Sequence, residues 1–148
     1  DAQESRGLGD VYKRQLYDHA GKLLLRLTIG LLMLPHGLAK LFNDFPSLTG
    51  PSAIKMMLVV KGLPTWLVYG VYATEIAAPV LLVLGLFTRS AALVVALGML
   101  VAVYLARLGA IDELSSAGTW GVQTEALFLF GALAIALMGP GRYAVRPG

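Results

Sequence analysis

Residues 81–100 read LLVLGLFTRSAALVVALGML. Neither Leu81-Leu82-Val83-Leu84 nor Ala91-Ala92-Leu93-Val94-Val95-Ala96-Leu97 alternates apolar with polar residues, which excludes strands of a membrane barrel. As helices, both runs satisfy their own backbone groups, which hydrocarbon requires. The interruption Phe87-Thr88-Arg89 is too short for anything except a hairpin that returns the second helix antiparallel to the first. Working outward, Thr65 to Leu86 and Ser90 to Arg107 flank this hairpin, with Leu23 to Phe42 before it and Thr119 to Met138 after it. Each meets or nearly meets the roughly 20 helical residues that span about 30 Å of hydrocarbon. The expected architecture is all-α, an antiparallel bundle of four transmembrane helices, and an even number of spans puts both termini on one side.

Composition agrees. The chain has 148 residues, 57% of them hydrophobic and 14% charged, against a usual charged share of about 25%. That leaves too little polar surface for a water-soluble body, so the bilayer is the expected solvent. The net charge of +3 comes from cations scattered singly through apolar sequence, which argues against a nucleic-acid partner. With no cysteine, the chain forms no disulfide and no thiolate metal site, so redox chemistry would need a bound cofactor or a partner protein.

Residues 1–18 carry charges of both signs, Gly7 and Gly9, and no apolar run. They read as a polar extension, a native tail or foreign upstream sequence, ahead of a transmembrane domain at 19–148. They are not a secretory signal peptide, since no apolar h-region follows a short basic start. Between the first two spans, residues 53–61 (AIKMMLVVK) are too few to cross a bilayer. Bounded by Pro51 and by Gly62-Leu63-Pro64, they read as a short interfacial helix at the membrane surface or over the bundle mouth. Lys22, Arg26, Arg89, Arg142 and Arg146 fall on the terminal face, and Lys40, Lys55, Lys61 and Arg107 on the other. The cations divide almost evenly; the expectation is a multi-pass protein of the plasma (inner) membrane with both termini in the cytoplasm.

An ionisable side chain at the bilayer centre costs about 2.5 to 3.5 kcal/mol on insertion scales. Arg26, Lys40 and Arg107 lie near expected span ends and read as interface anchors that snorkel. Glu75 does not, since ten residues separate it from Thr65, about 15 Å of helix. Glu125 lies six residues after Thr119 and His36 six before Phe42, each about 9 Å below the same face. His36, Glu75 and Glu125 thus occupy one slab, and Lys40 shares a helical face with His36. Pro35 precedes His36, and Pro79 withholds from the Glu75 carbonyl its usual helical donor. Ala73 and Ala77, Ala92 and Ala96, and Gly98 and Ala102 supply small residues at four-residue spacing for close helix approach. Two readings of the trio stay open: a satisfied polar network that fixes helix register, and a pocket that binds a small molecule or moves a proton. No metal site is expected, because His36 is the sole intramembrane histidine; His19 reads as a surface residue.

Leu25-Arg26-Leu27 leading to His36-Gly37-Leu38-Ala39-Lys40 resembles the opening of DoxX-family membrane proteins. So do Glu75 followed by Gly85-Leu86-Phe87-Thr88-Arg89, Glu125 in the last helix, and Gly139-Pro140-Gly141-Arg142-Tyr143. The resemblance covers roughly His19 to Arg146. It implies a four-helix integral membrane protein, some of whose relatives are associated with thiosulfate:quinone oxidoreduction or with thiol and oxidant defence, while many have no assigned activity. Carried over, the polar residues of interest are Arg26, His36, Lys40, Glu75, Arg89 and Glu125. Many relatives have a histidine near the end of helix three, where this chain has Tyr104 and Arg107. A metal or paired-imidazole role therefore does not carry over.

Three functional classes follow. A quinone-associated redox subunit would admit a lipid-soluble ring to the bundle, with His36, Glu75, Glu125 and Lys40 as pocket or proton-exchange residues and Arg26, Arg89, Tyr104 and Arg107 in support. Its electron donor would be a soluble redox enzyme. An assembly subunit would instead anchor such an enzyme through the 43–64 loop or residues 142–148. A transporter ranks third, because helix three has no charge between Ser90 and Ala106. Four helices make a small perimeter, compatible with a homodimer.

Overall fold

The computed structural model describes residues 2–44 and 51–146, with the side chains of 40–44, 51–54 and 106 outside that description. The fold is all-helical: α1 (Ala2–Asp44), α2 (Pro51–Val60), α3 (Thr65–Leu84), α4 (Thr88–Leu105) and α5 (Gln123–Met138). Among the described residues the only β pairing is an isolated antiparallel bridge between Leu114 and Trp120. Three helical stretches, Ala2–Ala39 within α1 and the whole of α3 and α4, are long and apolar enough to cross a membrane.

Several boundaries differ from those expected. Residues 2–18, the expected polar extension, form an exposed helical continuation of α1. At 43 residues this helix is about 65 Å long, roughly twice the hydrocarbon thickness. The last apolar helix begins at Gln123 rather than Thr119, because Thr119 and Trp120 belong to a loop in which Ser115 N–H donates to the Thr119 carbonyl (2.8 Å). That leaves α5 with 16 residues, about 24 Å. The short helix expected over 53–61 forms as α2, one turn of it starting at Pro51 as first-position proline favours.

Ile29 and Met33 of α1, Ala78 and Leu82 of α3, Ala92, Val95, Ala96 and Met99 of α4, and Phe128, Ala132 and Ile135 of α5 form one buried core. The outward faces are equally apolar, with Leu31, Leu32, Leu93, Leu97, Leu100, Leu127, Phe130 and Leu137 exposed. A body apolar both inside and outside has lipid for its solvent. Of the small-residue pairs, Ala92 and Ala96 are buried, but Ala73 and Ala77 face outward. The close approaches on α3 are made against glycines instead. A Cβ on Gly98 would lie 2.6 Å from the Thr74 Cβ, and one on Gly37 would collide with the Glu75 carbonyl.

One end of the bundle is held by a buried guanidinium. Arg26, expected to snorkel, is only 1% exposed. Because α1 continues well beyond residue 23, Arg26 sits in mid-helix, facing the C-terminus of α3. Its Nε donates to the Leu82 carbonyl (2.7 Å), Nη2 to Val83 (3.3 Å) and Nη1 to Pro140 beyond α5 (2.7 Å). Gly85 adopts φ 79°, so the Gly85 and Leu86 N–H groups turn back onto the Leu81 carbonyl (2.8 and 3.0 Å). Val145 N–H takes the Leu84 carbonyl (3.0 Å). All four terminal carbonyls of α3, which a helix leaves unpaired, therefore have donors. His19 is not a simple surface residue either: its Nδ1 accepts the Arg142 N–H (2.9 Å), pinning the C-terminal segment to α1.

Replacing Arg26 with Met would strand three buried carbonyls. The expected cost is about 3 kcal/mol, read as a lower thermal midpoint in detergent. Arg26→Lys should recover only part, because an ammonium lacks the planar fork; a midpoint unchanged in Arg26→Met would refute the clasp.

Candidate functional site

Pro79 cannot donate to the Glu75 carbonyl, and the chain answers with a π-helical turn over Ala73–Ala77, in which Ala78 N–H reaches the Ala73 carbonyl. The wider turn displaces the Glu75 carbonyl toward α1, where Gly37 has no side chain to obstruct it. Thr74 Oγ1 donates to the Val71 carbonyl (2.9 Å). Glu75 is thereby held inside the bundle, 4% exposed.

Glu75 forms part of the wall of a cavity of about 440 Å³ bordered by α2, α3 and α4. The rest of the wall is mostly apolar, including Leu58, Leu63, Leu67, Val71, Leu97 and Val101, with Thr74 and Tyr104 adding hydroxyls. A second π turn, Val103–Arg107, carries Tyr104 on the facing helix. Above the cavity α2 inserts Leu58, 1% exposed. Just after α2, Lys61 Nζ sits 4.9 Å from the centroid of the Tyr104 ring, a cation–π contact tying this end of α2 to α4. A concave, mostly apolar space of this size with a few polar groups is the usual form of a small-molecule site.

The other residues singled out in the sequence are distributed around this end of the bundle rather than gathered in one recess. His36 is exposed; its Nδ1 lies 2.9 Å from the Leu32 carbonyl, and its ring stands edge-on to Phe128 at 5.7 Å. A carbonyl can only accept, so Nδ1 carries hydrogen, and in the neutral ring Nε2 is left as an outward acceptor. Glu125, one turn before Phe128, pairs with Arg107 at 3.6 Å, and Arg107 also donates to the Gly121 carbonyl. Arg107 also lines a second, more polar cleft of about 460 Å³ with Glu113, Ser115, Thr119, Trp120 and Gln123. Neither His36 nor Glu125 lines the Glu75 cavity. The sequence reading places the three at one level but not their directions, which depend on how each helix is rotated. The Lys40 side chain lies outside the described residues. Arg89 is at the opposite end, against Gly139 after α5. Among the described residues no three His, Asp or Glu groups could hold a metal ion.

Missed in the sequence were the buried role of Arg26 and the walls supplied by Thr74 and α2. The signal available for Thr74 was its position next to Glu75; for Arg26 there was none once its helix was taken to begin at Leu23.

Apolar helices long enough to cross a bilayer, lipid-like outer faces and a buried carboxylate define a multi-pass integral membrane protein. The chain belongs to the DoxX family, whose profile matches residues 21–108. It is also 29% identical over 132 aligned residues to the uncharacterized membrane protein Rv3486 of Mycobacterium tuberculosis, covering 83% of this chain and 77% of that relative. No solved structure matches the chain significantly.

The helix crossing at Glu75 can be tested with a single methyl. Gly37→Ala meets backbone that cannot yield and should cost about 1–3 kcal/mol, whereas Gly70→Ala, where a Cβ meets nothing within 4 Å, should leave the thermal midpoint unchanged or raise it. Equal midpoints for Gly37→Ala and the parent would refute the close approach.

Proposed function

We propose that this protein is a quinone-associated membrane subunit of a redox or oxidant-defence complex, built as an antiparallel four-helix bundle in the plasma (inner) membrane with both termini cytoplasmic. The observation that carries this reading is the 440 Å³ apolar cavity with Glu75 in its wall. An apolar ring fits such a lining, and its oxygen would meet the carboxyl of Glu75. Quinone reduction takes up two electrons and two protons. The chain has no cysteine to carry electrons, so they come from a soluble redox enzyme, while Glu75 passes protons to the ring oxygen. His36, Lys40 and Glu125 are the groups through which those protons reach the surface, with Tyr104, Arg107, Arg26 and Arg89 positioning the helices. The unit assembles as a homodimer or within the larger complex through its exposed apolar faces.

A second reading, an anchor without chemistry of its own, is favoured by the structured loop at 111–122 and the polar cleft beside Arg107, a surface suited to a soluble enzyme. Against the C-terminal segment as that contact stands its packing onto His19 and α3. Solute transport ranks third, since α4 offers no charged group along its apolar run.

Glu75→Gln should weaken binding of a quinone analogue about tenfold while leaving the yield of folded protein unchanged. Unchanged binding with a large loss of folded protein would instead assign Glu75 to structure alone, and purification in mild detergent with an enzyme but no quinone would favour the anchor. Topology can be read cleanly in a chain without cysteine. Cysteines introduced at Ser5 and Arg146 should label from the same side and one at Asp112 from the other; Asp112 labelling with Arg146 would overturn the four-span arrangement.

A further inference from the structure

The cavity wall changes character from inside to outside. Glu75, Leu58 and Gly98 are buried, whereas Gly70, Leu97 and Val101 are exposed on the outward surfaces of α3 and α4. Gly70 lies five residues beyond the start of α3, about 7.5 Å along the helix, and apart from Tyr104 its exposed neighbours on the wall are apolar. In a bilayer spanned by α3 and α4, a mouth between these two faces would open sideways toward hydrocarbon.

Nothing in the packing calls for glycine at residue 70. A Cβ there would meet nothing within 4 Å, and the backbone is ordinary helix. This differs from Gly37 and Gly98, whose missing side chains admit Glu75 and Thr74. Glycine within a helix weakens it relative to alanine, so its consequence at residue 70 is the gap itself.

We infer that Gly70 is the portal and selectivity position of the cavity: a lipid-dissolved molecule with a flat apolar ring enters laterally between α3 and α4 past Gly70 and brings its oxygen to Glu75. This rests on the reading that the cavity takes a quinone, and it adds the route and the residue that admits the ring.

The test uses the full chain in lipid nanodiscs with decylubiquinone, following association rate and affinity together with thermal midpoint. Gly70→Phe should slow association and weaken binding by roughly tenfold or more without lowering the midpoint, and Gly70→Leu, a smaller obstruction, should fall between it and the parent. Parent binding with unaltered rates and affinity in both variants would overturn the portal while leaving the cavity reading in place. No binding by the parent would overturn both. Loss in Gly70→Phe with Glu75→Gln unaffected would mean that an acyl chain or other wholly apolar body fills the space, overturning the contact at Glu75.

Discussion

The contact on which the architecture turns is that of the Arg26 guanidinium with the end of α3. In hydrocarbon a helix terminus has no water to complete its last carbonyls, so the protein must supply donors or carry the terminus to the interface. Here they are supplied. Arg26 takes Leu82 and Val83, the Gly85 turn takes Leu81, and the returning C-terminal segment takes Leu84. The same guanidinium reaches Pro140, so a single residue of α1 fixes the ends of α3 and α5. The positive charge also suits the negative end of the helix dipole.

At the other end the helical regularity is relaxed rather than completed. Both α3 and α4 contain π turns there, at Ala73–Ala77 and Val103–Arg107, and the two contribute to one cavity. Pro79 accounts for the first, since its missing N–H removes the ordinary partner of Glu75. Gly37 and Gly98 let neighbouring helices close around the widened turn. A rigid, fully bonded end and an open end covered by a short helix divide the molecule into a part that holds and a part that can accept a ligand.

The ionisable groups follow the same division. Glu75 is enclosed among apolar side chains, Glu125 is matched by Arg107 near a polar loop, and His36 presents its ring to Phe128 with one nitrogen bonded to its own helix.

The all-helical class, the short helix after Pro51 and a tight return between two apolar helices, expected at 87–89 and found at 85–87, were legible in the sequence, because run length, proline and glycine act locally on the backbone. The positions of His36, Glu75 and Glu125 along their own helices were legible too, since residue count measures distance along a helix. Tertiary structure alone decided which way each side chain faces, for rotation about a helix axis is set by packing against partners distant in the chain. That is why Arg26, which looked like an interface anchor, became the internal clasp, and why Glu75 alone of the three acidic and imidazole groups came to line the cavity.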